Sequence, residues 1–449
     1  MTALERRDPM RPKASAFARV TKQPLRLLTR FGGAELTEKL GLKRPAERAL
    51  HDAGKLAARV GATIASPTKS DPARLSKTTA PERFDLRPTE EQDMLAKSAR
   101  RFAEDILRPA AQAADKATMA PAEIVARAQE LALAGLAVPE AHGGVAETSS
   151  ILTNTLVIEE LARGDMGLAL AVLAPLGVVH ALVSWGTREQ QARWLPAFVE
   201  RSLPAALALL ESRPGFDPER PRTGAIRKNG GWTLHGDKNL VPLATAAEVF
   251  VVSADVRGAG AKLFVVPRGA RGLTIAPEPA MGLRGAGLGR LRFDGVELAG
   301  DALLGGEEGA LREFGISEVI DRARLAWAAM AVGTSQAMLD HVVPYVNERK
   351  AFGEPIANRQ AVAFMVADLA IEIEGMRLML RRAASLADRG ADVTRYTSML
   401  RSHCATKGMK VGTDGVQLLG GHGFVKDHPV ERWYRDLRAI GVMEGALLA

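Results

Sequence analysis

Cysteine is almost missing: Cys404 is the only one in 449 residues. That excludes an intramolecular disulfide and fits a reducing compartment. Metal-ligand spacing is missing too. The eight histidines, among them His142, His180, His235 and His422, form no HExxH and no Cys/His pattern, so no bound metal is expected. The start of the chain lacks an apolar core followed by a small-residue cleavage site, so no secretory signal is read there. Excess basic charge is missing from the main body. Residues 1–80 hold 17 Lys and Arg against 7 Asp and Glu, and with a chain total of +8 the other 369 residues carry −2. A nucleic-acid-binding function would rest on the N-terminal arm alone, and no nucleic-acid partner is expected.

What is present is an ordinary globular balance, 47% hydrophobic and 25% charged, at a length suited to two or three domains. The basic arm contains FARVTKQPLRLLTRF (17–31), an amphipathic stretch able to lie on an anionic membrane surface, or else a solvated arm or a cleavable transit segment. Residues 62–88, rich in Pro, Ser and Thr, read as a linker. One stretch, MGLALAVLAPLGVVHALVSWGT (166–187), has no charged residue and is long enough to span a bilayer. Its Ala and Gly content, His180 and the interrupting Pro175 favour a buried helix pair.

Apolar residues recur at three- and four-residue spacing from Thr89, an N-cap candidate followed by Glu90 and Glu91. From about 205 short strand-like runs such as EVFVVSADV and GRLRFDGVEL replace that pattern. From about 310 long helical patterns return, suited to an antiparallel bundle. The fold expected is α+β and mainly α. It comprises a basic extension (1–80), a helical domain (81–203), a β-barrel or sandwich-like domain (204–309) and a helical-bundle domain (310–449).

Three segments carry the chemical signal. NERKAFGEPIANRQAVAFMVADLA (347–370) reads as a helix end, a tight Phe-Gly turn and a new helix, with Arg349 able to reach a phosphate. In DGVQLLGGHGFVKDHPVERWYRDLR (414–438) a helix is stopped by Gly420 and Gly421, whose loop admits close backbone approach to a ligand. The third, RDLRAIGVMEGA, sets Glu444 among Ile440, Val442, Met443, Leu447 and Leu448. On residue type alone Glu444 is either a solvated carboxylate near the end of the sequence or a base in a dry pocket.

Together, in this order and spacing, these segments resemble the acyl-CoA dehydrogenase family, from roughly Arg83 onward. The resemblance implies an N-terminal α-domain, a middle β-domain and a C-terminal four-helix domain, assembled as homodimers or homotetramers. It implies FAD, an acyl-CoA substrate, a trans-2-enoyl-CoA product and electron-transfer flavoprotein as acceptor, as in fatty-acid β-oxidation. Glu444 would be the base that removes the α-proton, desolvated by Ile440, Val442 and Met443. Arg349, Phe352, Gln360, Gln417, Gly420 and Gly421 would hold the adenosine and pyrophosphate part of FAD, partly across a subunit interface, with Leu210 and Val241 near the flavin ring. Arg324 and Asp321 would contact the CoA nucleotide, Phe216 the pantetheine arm, and Gly445 would leave room for the thioester. The cytoplasm of a bacterium or the mitochondrial matrix would house such an enzyme, with a membrane-surface contact through residues 17–31.

The sequence also departs from the family. Leu210 and Phe216 stand where a hydroxyl residue and a serine are usual, and Leu240 and Pro242 where Trp and Thr are usual. Proline supplies neither a hydroxyl nor a backbone N–H. Family members continue from the Glu-Gly pair into one more helix, whereas here ALLA follows. These departures raise a second expectation, a catalytically weakened relative acting as a partner subunit or an acyl-CoA-binding protein.

Overall fold

The computed structural model describes residues 88–130, 137–144, 150–201, 203–307 and 314–449. The amphipathic stretch 17–31 lies outside the described residues. The chain is mainly helical, with a curled sheet in the middle.

Helix α1 (Glu90–Phe102) starts where the sequence places it. Thr89 Oγ1 accepts from the Gln92 N–H at 3.2 Å and Gln92 Oε1 accepts from the Thr89 N–H at 3.0 Å, a reciprocal cap built on Gln92 rather than on the two glutamates. A π turn (Ala103–Leu107) carries α1 into α2 (Arg108–Ala117), and α3 follows at Ala122–Glu130. Helix α4 (Ile151–Gly164) leads into α5 (Met166–Trp185), whose N-cap Asp165 accepts from the Leu168 N–H at 3.0 Å. Helix α5 corrects the expectation of a helix pair, because it runs unbroken through Pro175. An internal proline costs a helix about 3 kcal/mol, and burial of nearly every side chain on the helix outweighs that. Although α5 is long and apolar enough to cross a membrane, 83% of its most apolar window is buried in protein. Helix α6 (Arg188–Glu200) closes this layer.

Seven strands follow: β1 (Ala205–Ala208), β2 (Gly224–Lys228), β3 (Gly231–Val241), β4 (Val249–Val256), β5 (Gly260–Pro267), β6 (Leu273–Pro277) and β7 (Gly289–Leu298). The order is β1-β4-β2-β3-β7-β6, with β5 also paired to β4. Strand β4 is buried on both faces and reads as a continuous apolar run, whereas β7 alternates, sending Leu291 and Phe293 inward between exposed arginines. Strand β1 is where the sheet meets the helices. Its Leu207, with Leu209 just past the strand, packs with Val178, Val179 and Leu182 of α5, while Ala206 and Ala208 face the sheet interior.

Helices α7 (Ile316–Glu348), α8 (Gln360–Asp388) and α9 (Thr394–Leu419) form the last layer. A two-residue hairpin at Lys350–Pro355 joins α7 to α8, with Phe352 (φ 56°) and Gly353 (φ 89°) at its tip. Two positive φ values in a row suit the tight hairpin turn. After α9 come α10 (Val430–Leu437) and a 3₁₀ turn (Arg438–Gly441). Residues 443–449 then run through the interior, every one buried. Ala449 pairs with Arg322 of α7 by backbone and side chain, and Arg322 reaches Ser184 of α5.

Candidate active site

The 3₁₀ turn after α10 delivers Glu444 to a junction of α7, α9 and the end of β1. The residue is 6% exposed. Its Oε1 lies 3.0 Å from Arg401 Nε and 3.5 Å from Arg324 Nη2, while its Oε2 has no hydrogen-bond partner. Of the two sequence alternatives the solvated carboxylate is excluded, and the buried one gains two cations as neighbours. The expected desolvation by Ile440, Val442 and Met443 is corrected accordingly. Ile440 and Met443 turn into the helical core, and Val442 is 46% exposed. Burial pushes the Arg401 guanidinium below its usual value, with Glu444 opposing that shift and Arg324 adding to it.

Glu444 faces a cavity of about 340 Å³ lined by Leu210, Ser212, Arg213, Phe216, Asn239 and Arg401, among others. Phe216 lies in the cavity wall, with the Arg213 guanidinium 5.5 Å from its ring. Asn239 Oδ1 is a second buried acceptor without a partner. The far wall is held by a buried ion pair. Lys238 Nζ reaches Glu211 Oε1 at 2.9 Å, the Leu209 carbonyl at 3.0 Å and Ser253 Oγ at 3.0 Å. Glu211 also accepts from the N–H groups of Arg222 and Thr223, at 2.8 and 2.9 Å. Burial pushes Lys238 down to about 8 despite Glu211. For Glu211 burial works against ionisation, but Lys238 and the two N–H groups prevail and its carboxyl lies below the usual range. Glu211 therefore anchors the loop after β1.

Several residues carried over from the family are engaged elsewhere. Asp321 accepts from the hydroxyls of Thr394, at 2.7 Å, and Thr397, which pins α7 to α9. Val241 ends β3 with its side chain in the sheet core. The reason is local: Leu240 adopts φ 50°, breaking the strand alternation, and its N–H goes to Glu278 Oε2 at 2.8 Å. Gly445 does not leave room for a ligand. At φ 71° a Cβ there would stand 2.8 Å from the Cβ of Leu209, so Leu209 already fills that space. The Gly445 carbonyl accepts from Trp327 Nε1 at 2.7 Å.

The remaining set gathers at the other end of the bundle. Arg349 caps the C-terminus of α7, Gln360 begins α8 and Gln417 lies in the last turn of α9, all three exposed. Phe352 is 94% exposed. Gly420 (φ 57°) and Gly421 have nothing within 4 Å of where a Cβ would stand, so their backbone is open to a ligand. Arg349 lies 25 residues beyond Arg324 on the same helix, roughly 37 Å at 1.5 Å per residue. That is more than one FAD spans. The open glycine turn beside an exposed arginine suits a diphosphate, and the apolar Leu210 suits a flavin ring.

The PVERWYRD segment is structural. Arg432 Nε reaches Asp165 Oδ2, the α5 cap, at 2.9 Å, and Arg435 grips Asp115 at 2.8 Å and Glu431 at 2.8 Å. Asp436 accepts from the Leu283 N–H at 2.6 Å; burial, with Asp165 nearby, pushes its carboxyl up to about 8. None of these residues lines the cavity. Arg401, Arg213 and Asn239 do, and the sequence reading passed over all three. A signal existed for Arg401, which sits at the edge of the buried stripe Thr397, Leu400, Cys404, Gly408 and Val411.

Helical layers before and after a curled sheet, a buried carboxylate on a cavity and an open glycine turn at the far end of the bundle are compatible with a flavin-dependent oxidoreductase. Residues 89–202, 206–296 and 315–447 match the N-terminal, middle and C-terminal domain models of acyl-CoA dehydrogenase. An acyl-CoA dehydrogenase of Bacillus subtilis is 32% identical over 364 residues, covering 80% of this chain and 95% of the relative. An acryloyl-CoA reductase (NADH) of Anaerotignum propionicum is 32% identical over 372 residues, 81% of this chain and 93% of the relative. The solved butyryl-CoA dehydrogenase of Megasphaera elsdenii superimposes with a TM-score of 0.74 at 28% identity, over 80% of this chain and 96% of that one. The chain belongs to the acyl-CoA dehydrogenase family, and is an FAD-dependent oxidoreductase acting on acyl-CoA.

Proposed function

We propose that the protein converts an acyl-CoA thioester to the trans-2-enoyl-CoA, with Glu444 taking the α-proton. The observation that carries this is the buried Glu444 carboxylate, 6% exposed, in the wall of the cavity. An α-proton of a thioester is weakly acidic, so a base must be held ready beside it and out of bulk water. FAD, when bound, accepts the β-hydride. Phe216 and Leu210 give the pantetheine arm an apolar wall. The second expectation, a catalytically weakened relative, is not favoured: the family match runs through all three domains, and the relatives include acyl-CoA dehydrogenases.

Assembly into a homodimer or homotetramer belongs to the same proposal. It is supported by the roughly 37 Å between Arg324 and Arg349, which leaves the adenosine of FAD to a second chain. The exposed Phe364, Ile371 and Leu378, seven residues apart on α8, form an apolar stripe suited to that contact. Electron-transfer flavoprotein is the acceptor proposed, in the reducing interior of a bacterium or mitochondrion. Cys404 is compatible with that, being a buried thiol pushed up to about 12.

The test is flavin absorbance. Purified protein should be yellow and bleach when acyl-CoA is added without oxygen, and Glu444→Gln should abolish bleaching while FAD stays bound. Colourless protein that cannot be reconstituted sinks the enzyme reading, and bleaching by Glu444→Gln removes Glu444 from the base role.

A further inference from the structure

Resting on that reading, we infer that the acyl group of the substrate ends in a second anionic head, a carboxylate held between Arg213 and Arg401. Two carboxylates, Glu211 and Glu444, and two guanidiniums, Arg213 and Arg401, line the cavity. Each carboxylate has two cations beside it. Glu211 lies 2.9 Å from Lys238 Nζ and 3.3 Å from Arg213 Nε, and Glu444 lies 3.0 Å from Arg401 Nε and 3.5 Å from Arg324 Nη2. None of these six side chains is more than 20% exposed. Four cations against two carboxylates leave an excess of positive charge. Asp321, one turn before Arg324 on α7, takes the hydroxyls of Thr394 and Thr397 and forms no ion pair among the described residues. Buried charge of one sign in excess is unfavourable until an opposite charge joins it.

The unused donors define that anion. Arg213 gives Nε to Glu211 and Nη2 to the Arg220 carbonyl, and Arg401 gives Nη1 to the Met443 carbonyl. Arg213 Nη1 and Arg401 Nη2 hydrogen-bond to no described residue, which leaves each arginine a donor for a ligand. A two-oxygen anion suits a pair of guanidiniums. A pocket for a plain alkyl chain is lined mainly by apolar side chains, whereas six of the ten residues lining this cavity are polar or charged. The phosphates of CoA are set apart from its thioester by the whole pantetheine arm. Arg401, in contrast, lies 3.0 Å from the residue proposed to meet the α-carbon. The anion therefore belongs to the acyl chain, a few carbons beyond the thioester, and the substrate class is the monothioesters of short dicarboxylic acids.

The experiment pairs thioesters that differ only at the chain end: succinyl-CoA with butyryl-CoA, glutaryl-CoA with pentanoyl-CoA, and adipyl-CoA with hexanoyl-CoA. Flavin bleaching of the FAD-loaded enzyme is followed without oxygen. Calorimetry measures binding of the same thioesters to FAD-loaded Glu444→Gln protein, so binding is read whether or not turnover occurs. At least one dicarboxylic thioester should be preferred over its neutral partner by about 10²-fold in both measurements, the worth of two charge-assisted hydrogen bonds. Arg213→Met should cut that preference about 10-fold. Arg213→Lys, which keeps the charge but not the planar fork, should retain part of it, and carries the comparison if Arg213→Met does not fold. Equal or weaker binding of every dicarboxylic thioester overturns the inference, as does an Arg213→Met change that weakens both members of a pair alike. Absence of bleaching with all six thioesters sinks the dehydrogenase reading instead, while the calorimetric preference still decides the anion site.

Discussion

The indole N–H of Trp327 donates to the carbonyl of Gly445 at 2.7 Å, tying the residue after the candidate base to the middle of α7. This bond holds a peptide that only glycine accommodates, at φ 71° with Leu209 against its Cα. Gly445→Ala should therefore strain the backbone by about 1–3 kcal/mol and move Glu444 off the cavity. Denaturant unfolding should show the loss, and flavin bleaching should slow even where FAD remains bound. A variant of wild-type stability and rate would contradict this.

Lys238 and Glu211 stabilise the cavity wall as a buried pair. Lys238→Met leaves Glu211 buried without its closest cation, held by two backbone donors and by Arg213 Nε at 3.3 Å, and the expected cost is about 1–3 kcal/mol. Equilibrium unfolding checks it. Lys238→Met combined with Glu211→Gln should be less destabilised than Lys238→Met alone, because the buried charge that lost its closest cation is gone.

His180 predicts a pH dependence. Burial, with Arg322 adding to it, pushes its imidazole down to about 3. The unfolded chain takes up a proton near the ordinary value of about 6.5, so stability is present above that pH and is lost as pH falls toward 3. Between about pH 6.5 and pH 5 the loss from this group is about 2 kcal/mol. Unfolding measured at both pH values should show His180→Gln losing correspondingly less than wild type; equal losses would contradict the burial argument.

The α8 stripe should govern assembly. Ile371→Arg places a charge in the middle of Phe364, Ile371 and Leu378, and light scattering should show smaller particles. FAD content should fall with them, since the adenosine end of each site is proposed to come from a neighbour. A monomer that keeps its FAD would contradict the shared site.

The order of helices, strands and helices was legible because each layer obeys its own period. Thr89 marked the first described helix, and β7 alternates as a half-buried strand should. Pro175 misled because its helix is held by packing, which local sequence does not display. Glu444 could be located from the RDLR run before it, but not its company. The threonines that occupy Asp321 lie more than 70 residues away, and the guanidinium that grips Glu444 reads as an ordinary helix-surface charge. Val241 and Gly445 were misjudged for a related reason. A family position names a residue but not which face of the backbone it takes, and the left-handed turn at Leu240 decided that for Val241.

The ties that α10 makes to Asp165, Asp115 and Leu283 also bear on genetics. A screen for lost activity would return Arg432, Arg435 and Asp436 beside Glu444, although the first three sit apart from the cavity. Damage there loosens α5, the β-domain and the base together. Inherited or selected changes in α10 should then appear as low protein abundance, whereas those at Glu444 should leave a full complement of inert enzyme.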